Sequence, residues 1–328
     1  MSGCTATTDS SADADGAAAE GGSDVGAGAS SESEVEFDGE RIVLIDGFQP
    51  EGIAAGPGSL AYVGTMTGGG IIEVDLATGA RRFLVEPEIG VRAFAGLAYD
   101  AKHDHIFACG AWFQNGFVYD ASSGAQLAKL QFPGNAGVVN GVAVTADWAF
   151  FSDSLRAAIY RVALDSDGLP AGEIQDVVLT GDFDFVEVGN NGNGIVAAGG
   201  TMVFLLNSAN GTLYRIDSST GEAARVEVSG GVIDHGDGLS YVGDDLLVVR
   251  NGATRGGVDE VVRLRLDESM TSADVVGVGT SAAFAFPTTA AVLGDDVWVV
   301  NARLDDVIHG ATKPDDAFDL VRVHLPRG

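Results

Sequence analysis

Lysine is almost missing from this chain, which contains it only at Lys102, Lys129 and Lys313. Acidic residues number 47 against 18 basic ones, so the formal net charge is −29. A surface of this charge repels phosphate backbones and anionic lipids, and we therefore expect no nucleic-acid partner. The same charge keeps a protein soluble at high salt, so a salt-tolerant source and simple compositional drift are both open explanations.

The chain also lacks an apolar run of about 18 residues, the minimum for a membrane-spanning helix. Aromatic and basic residues are absent from residues 1–36, which consist mostly of Gly, Ala, Ser, Thr, Asp and Glu. Such a segment buries too little apolar surface to offset the entropy lost on ordering. We therefore expect a disordered acidic leader or tether over 1–36 and a folded domain over 37–328.

Cysteine occurs only at Cys4 and Cys109. Cys109 lies in an apolar stretch and is expected to be a buried strand residue. A disulfide between the two is not expected, because Cys4 lies in the leader that we expect to be disordered. Cys4 ends the sequence Met-Ser-Gly-Cys, which resembles the end of a bacterial lipoprotein signal without its apolar stretch. This resemblance implies a secreted or lipid-anchored protein outside the cytoplasm, with membrane contact only through an anchor at Cys4.

An internal repeat is the strongest positive signal in the sequence. A block of the form X-Gly-apolar-Ala recurs at spacings of 44, 45, 53, 44 and 51 residues. The six copies begin at Glu51, Ala95, Asn140, Asn193, Asp237 and, in degenerate form, Thr288. Repeats of this length are typical of four-stranded propeller blades.

Each copy continues with further short strands that are separated by turns. One strand ends in Asp75 before Thr78-Gly79, and another ends in Asp120 before Ser123-Gly124, which is typical of hairpins. Long amphipathic helix patterns are lacking. The sequence therefore predicts an all-β, six-bladed β-propeller, in which the segment Glu40–Asp46 completes the last blade and closes the ring.

The first residue of each block is expected to face the central channel, and this position varies in a chemically informative way. It holds Glu51, Asn140, Asn193 and Asp237 in blades one, three, four and five. Two carboxylates and two carboxamides without His or Cys are oxygen ligands that suit Ca²⁺ better than zinc or copper, although another divalent cation is possible. Because Asn-Gly and Asp-Gly are also ordinary turn dipeptides, a purely structural role stays open.

These blocks resemble the SMP-30/gluconolactonase/LRE-like family of calcium-dependent phosphotriesterases, which includes the paraoxonases and diisopropyl-fluorophosphatases. The best local match is Asn140-Gly141-Val142-Ala143 followed by Phe150-Phe151-Ser152-Asp153-Ser154. The resemblance covers about residues 40 to 328. It implies a hub calcium site, with Glu51, Asn140, Asn193 and Asp237 as the ligands.

Two functions follow as hypotheses. The first is a calcium-dependent hydrolase of a lactone or related ester, with Asp237 as ligand and nucleophile or base and His235 as proton shuttle. The second is a non-enzymatic binding or scaffold module with structural calcium; a redox or lyase activity is a weaker third. We expect a monomer with a small-molecule substrate.

Blade six has Thr288 in place of a charged or imidazole group. The sequence also has no Gly-x-Ser-x-Gly, phosphate-binding or zinc motif.

Several further residues are given structural interpretations. Asn207, Asn251 and Asn301 follow the second strand of their blades and are expected to cap strands rather than line the channel. His103 and His105 lie in a polar stretch and are expected to be solvated. For Phe286, core packing is favoured over a position at the lip of a substrate site.

Overall fold

The computed structural model describes residues 40–252, 258–304 and 317–325. Every named element in these ranges is a β-strand, which confirms the all-β class. No helix in the same ranges has the length and apolar content to span a bilayer. Cys4, the expected leader over 1–36 and its boundary with the domain at 37 lie outside the described residues.

Twenty-six short strands account for the regular structure of the described residues. The first thirteen are β1 (Arg41–Val43), β2 (Pro50–Ala55), β3 (Leu60–Thr65), β4 (Ile71–Asp75), β5 (Arg81–Val85), β6 (Leu97–Asp100), β7 (His105–Cys109), β8 (Asn115–Asp120), β9 (Gln126–Gln131), β10 (Val139–Val144), β11 (Trp148–Asp153), β12 (Ala158–Leu164) and β13 (Pro170–Val178). The others are β14 (Thr180–Gly181), β15 (Ile195–Gly199), β16 (Met202–Asn207), β17 (Thr212–Asp217), β18 (Glu222–Arg225), β19 (Glu227–Ser229), β20 (Gly236–Val242), β21 (Asp245–Arg250), β22 (Glu260–Leu266), β23 (Ser272–Gly279), β24 (Pro287–Leu293), β25 (Asp296–Asn301) and β26 (Asp319–His324).

The strands form six separate sheets, and the four main strands of each sheet pair antiparallel in meander order. Blades one to three are β2–β5, β6–β9 and β10–β13. Blades four and five are β15–β18 and β20–β23, and each gains a short parallel edge strand, β14 and β19 respectively. Blade six is β24–β26 with β1, so the six-bladed propeller is confirmed.

Blade six is completed by the first strand of the described chain. β1 pairs antiparallel with β26, in a register that aligns Arg41 with Val321. Arg41 also forms an ion pair with the fully buried carboxylate of Asp319. The two ends of the described chain therefore close the ring of blades, as expected for the segment Glu40–Asp46.

The hydrophobic core is divided into six clusters, and each lies between two neighbouring blades. The cluster between blades six and one contains Ile42, Ile53, Val63 and Trp298, all at most 3% exposed. Other clusters join blades one and two, two and three, three and four, four and five, and five and six. Because successive side chains of a strand point to opposite faces, the runs of consecutive buried residues in strands such as β7, β11 and β21 pack against both neighbouring blades.

The glycine of the repeated block has a packing role at the hub. A Cβ added to Gly96 would lie 2.6 Å from the carbonyl oxygen of Asn140, and one added to Gly141 would lie 2.6 Å from that of Asn193. The equivalent glycines of blades one, four and five meet the next blade in the same way: Gly52, Gly194 and Gly238. Only glycine allows the inner strands to approach each other this closely.

Candidate functional site

The candidate site lies at the hub, where the inner strands of the blades begin. The block's first two residues fall at a shift of strand register in four blades, between Pro50 and Ile53 in blade one for example. A β-bulge of this kind redirects a side chain that would otherwise point along the regular alternation. Glu51 and Asn140 lie at such shifts, and together with Asn193, which precedes β15 in blade four, they line one small cavity of about 40 Å³ on the channel.

The structure brings all four predicted ligand residues together. Each of them is at most 9% exposed. Asn193 Nδ2 donates to Asp237 Oδ1 at 2.8 Å, which links the hub of blade four to that of blade five. Glu51 is close enough to Asp237 for the two carboxylates to affect each other's ionisation. Asn140 lies on the same small cavity as Glu51 and Asn193.

The amide nitrogens of the two hub asparagines are used in hydrogen bonds within the protein. Asn140 Nδ2 donates to Ser154 Oγ at 3.0 Å, and Asn193 Nδ2 donates to Asp237. Among the described residues, neither their Oδ1 atoms nor the Glu51 carboxylate takes part in a side-chain hydrogen bond. The hub therefore holds oxygen acceptors that are not used by side-chain hydrogen bonds of the described residues.

Burial makes the two hub carboxylates hard to ionise. It raises the pKa of Glu51 well above its usual value, and the neighbouring Asp237 raises it further. Burial also raises the pKa of Asp237, to about 6, although hydrogen bonds from Asn251 and Asn193 oppose the shift. Two buried acids without a counter-charge are costly, so a cation between them would remove a destabilising interaction.

The chemistry of the hub fits a hard divalent cation. Carboxylate and amide oxygens are the donors that Ca²⁺ takes, whereas zinc and copper sites use His or Cys. Within residues 40–252, 258–304 and 317–325, no three His, Cys, Asp or Glu side chains are grouped to hold a metal. The hub contributes only two such groups, Glu51 and Asp237, and the remaining donors are amides.

A second cavity adjoins the hub and has a volume of about 300 Å³. It is lined by Asn193, His235, Asp237, Asn251 and Phe286, among other residues. His235 has φ +56°, a left-handed conformation in which histidine is found more often than most residues. The sequence-predicted pair His235 and Asp237 therefore faces one cavity, large enough for a small molecule.

The opposite mouth of the channel has a different character. Its cavity of about 340 Å³ is lined mainly by apolar inner-strand residues, including Ile53, Val142, Ile195 and Leu239. It shares several of these residues with the hub cavity. Polar chemistry is thus concentrated at the end of the channel where Glu51 and Asp237 lie.

Asn251 is a site residue that the sequence interpretation missed. Its Nδ2 donates to Asp237 Oδ2 at 2.7 Å and to the Pro287 carbonyl at 3.1 Å. Asn207 and Asn301 instead tie loops, through bonds to the carbonyls of Asp184 and Ala283 respectively. The three asparagines occupy the same phase of the repeat, so the repeat pattern does not separate them. The sequence signal that could have set Asn251 apart from Asn207 and Asn301 is its partner acid, Asp237.

One other interpretation needs correction and one needs an addition. Phe286 is buried, as expected, and it also lines the cavity with His235 and Asp237. The expectation that His105 is solvated is wrong, because it lies buried in β7. The Nδ1 atom of His103 lies 2.6 Å from Asp100 Oδ2.

The comparisons with known proteins identify the fold. No protein-family model matches the chain, and neither does the sequence of any curated protein. The structure of the major Malassezia sympodialis allergen Mala s 1 is similar, with a TM-score of 0.66 and 14% identity over 87% of this chain and 96% of that one. The structure of U3-55K has a TM-score of 0.58 and 10% identity, over 87% of this chain and 98% of that one.

An enzyme is also among the similar structures. The PQQ-bound aldose sugar dehydrogenase of Streptomyces coelicolor has a TM-score of 0.51 and 18% identity, over 87% of this chain and 98% of that one. At such identities the likeness shows a shared propeller fold and nothing about activity. The resemblance to the SMP-30/gluconolactonase family therefore rests on the short sequence motifs alone.

Proposed function

We propose that this propeller is a calcium-dependent hydrolase of a lactone or a related ester. The observation that supports the proposal is the hub: two buried carboxylates and two buried asparagines meet there, and two of these residues, Asp237 and Asn193, also line the 300 Å³ cavity that contains His235. A hub without a bound cation would have no need of two acids in a site that disfavours their charge. The cavity volume suits a small-molecule substrate.

In this proposal each hub residue has a distinct role. Glu51 and Asp237 supply two negative charges that balance one divalent cation, and Asn140 and Asn193 supply neutral oxygen donors. When bound, Ca²⁺ would act as a Lewis acid on the carbonyl or phosphoryl oxygen of the substrate. Substrate would occupy the cavity between Phe286 and the hub, and its apolar part would contact the Phe286 ring.

His235 is the candidate proton shuttle. A neutral imidazole on the cavity wall takes a proton from the attacking water as the new C–O bond forms. The same imidazolium then returns the proton to the alkoxide released when the ester C–O bond breaks. Asp237 is the alternative nucleophile or base, but both of its carboxylate oxygens already accept hydrogen bonds, from Asn193 and Asn251. We therefore favour water as the nucleophile.

A structural calcium in a binding or scaffold module is the second candidate. The four hub residues come from blades one, three, four and five, so a cation bound by them would cross-link most of the ring. This arrangement would stabilise the propeller even without catalysis. The same hub residues would bind the cation in both proposals. The two proposals differ in whether the protein hydrolyses a substrate.

Thermal melting with EDTA or added Ca²⁺, beside a hydrolysis panel of lactones and aryl esters, tests both candidates. We expect Ca²⁺ to raise the melting temperature of the wild-type protein and to be required for turnover. Asp237→Asn and Glu51→Gln should each reduce the calcium-dependent rise, since each removes one charge from the site. His235→Ala should keep the rise and lose turnover.

The outcomes separate the candidates. Stabilisation by calcium without turnover on any substrate would favour the scaffold module over the hydrolase. A melting temperature that changes with neither EDTA nor Ca²⁺ would rule out the metal site in both proposals. Turnover that persists in EDTA would contradict the calcium-dependent mechanism while leaving a hydrolase.

A further inference from the structure

The end of β21 clamps the segment that carries His235 and Asp237. The buried guanidinium of Arg250 donates from Nε to the Asp234 carbonyl at 2.8 Å and also forms ion pairs with the Asp234 and Glu260 carboxylates. The backbone N–H of Asn251 donates to the His235 carbonyl at 3.2 Å. Consecutive residues of one strand end therefore hold the segment 234–237 on the side of the cavity.

The side chain of Asn251 extends this clamp to the hub itself. Its amide bridges Asp237 Oδ2 and the Pro287 carbonyl at the start of β24, the inner strand of blade six. Asn193 holds the other carboxylate oxygen of Asp237 at 2.8 Å. The Asp237 carboxylate is thus fixed from both sides, by blade four through Asn193 and by its own blade through Asn251.

The equivalent asparagines of other blades provide an internal comparison. Asn207 donates to the Asp184 carbonyl and to Asn191 Oδ1, and Asn301 donates to the Ala283 carbonyl and to Asp319 Oδ1. Asn207 thus connects two loop segments, and Asn301 connects a loop to β26. Of these three asparagines, Asn251 is the one whose amide reaches a hub residue, and the contact falls on one of the two hub acids.

We propose that Asn251 is a positioning residue that orients the Asp237 carboxylate toward the cation at the hub. Outer partners of metal-binding carboxylates fix the direction of their lone pairs, and their loss commonly weakens metal binding 10–100-fold. Without Asn251, Asp237 keeps one hydrogen bond and is free to rotate about that contact. This role rests on the calcium site proposed above and assigns Asn251 no contact with the substrate.

Calorimetric titration of the full chain with Ca²⁺ tests the role without relying on turnover. We expect Asn251→Ala to weaken Ca²⁺ binding 10–100-fold. The matched controls Asn207→Ala and Asn301→Ala should lower the melting temperature in EDTA, because buried loop carbonyls lose their donor, yet bind Ca²⁺ within about twofold of the wild type. Asn251→Leu keeps most of the side-chain volume, and it should weaken binding as Asn251→Ala does.

The possible results have different meanings. If the wild type does not bind Ca²⁺, the calcium site itself is wrong and the role of Asn251 falls with it. If the wild type binds Ca²⁺ and both Asn251 variants bind equally well, only the positioning role is overturned. Equal weakening in the Asn207 and Asn301 variants would make the effect a general loss of stability and would also overturn it. Circular dichroism melting identifies any variant that does not fold, and Asn251→Leu is then the variant that decides.

Discussion

At the scale of single residues, Glu51 and Asp237 dominate the chemistry of the molecule. Both acids are buried at the hub, and both have a raised pKa because burial disfavours their charged forms. In the unfolded chain the same acids ionise near pH 4. Between these values the folded protein binds more protons than the unfolded chain, so folding and protonation favour each other.

This linkage predicts how the calcium-free protein responds to pH. The stabilisation from protonated Asp237 is complete below its unfolded pKa and is lost as the pH rises through about 6. In EDTA we therefore expect the melting temperature to be higher at pH 5 than at pH 7.5, by a few degrees. Calorimetry between pH 5 and pH 7.5 measures this difference in melting temperature. The difference should be smaller in Asp237→Asn, because position 237 then has no titrating group. A melting temperature that increases from pH 5 to 7.5 in EDTA would contradict the prediction.

The hub residues also show what a repeat can and cannot predict. Glu51, Asn140, Asn193 and Asp237 share one phase of the repeat, and that phase was sufficient to predict that they meet at the channel. Asn251 shares its phase with Asn207 and Asn301, and the pattern therefore predicted one role for three residues with different contacts. The partner that each asparagine bonds depends on the residues of neighbouring segments. The position of a residue within the repeat does not predict those residues.

At the scale of elements, the inner strands depend on the glycine of the repeated block. The sequence allowed these glycines to be ordinary turn residues, but in the structure they lie where neighbouring inner strands touch. The block and its spacing predicted the blades well because each blade must repeat this contact. The short parallel strands β14 and β19 were not predicted, because their partners are more than forty residues away and their own composition is unremarkable for a loop.

Gly141→Ala tests the strand contact. The added Cβ would lie 2.6 Å from the Asn193 carbonyl oxygen, so blades three and four must separate. We expect a loss of about 2 kcal/mol or more in the free energy of unfolding, which chemical denaturation measures. Gly134→Ala is the matched control, because its Cβ would meet nothing within 4 Å. Equal stability of the two variants would contradict the packing role.

At the scale of the whole molecule, β1 holds the ring closed. Ile42 is 1% exposed and packs with Trp298 and Ile53 in the cluster that joins blades six and one. Ile42→Ala should lower the free energy of unfolding by about 2–5 kcal/mol, since the cavity would open at the seam. Ile89→Ala makes the same change at a side chain that is 80% exposed and should change stability by less than about 0.5 kcal/mol. Similar losses in both would mean that the seam has no special importance.

The overall charge predicts a second global property. With a net charge of −29, acidic groups repel one another across the surface, and salt screens this repulsion. We expect the melting temperature at pH 7.5 to rise by several degrees between about 0.1 and 1 M NaCl, where the Debye length falls from about 10 to 3 Å. Near the isoelectric point of about 4.2 the rise should be much smaller. A flat or falling curve at pH 7.5 would show that repulsion does not limit stability.

The pairing of β1 with β26 has a consequence for synthesis on the ribosome. Arg41 and its partner Asp319 are separated by 278 positions, so the first strand of the propeller is made long before the strand it needs. At about 5–20 residues per second, β1 waits roughly 15–55 s for its neighbour. During that time it is only three residues long and begins with a charged arginine, features that discourage pairing with a strand of another chain. Closure of the ring through β1 can therefore occur only after β26 has been synthesised.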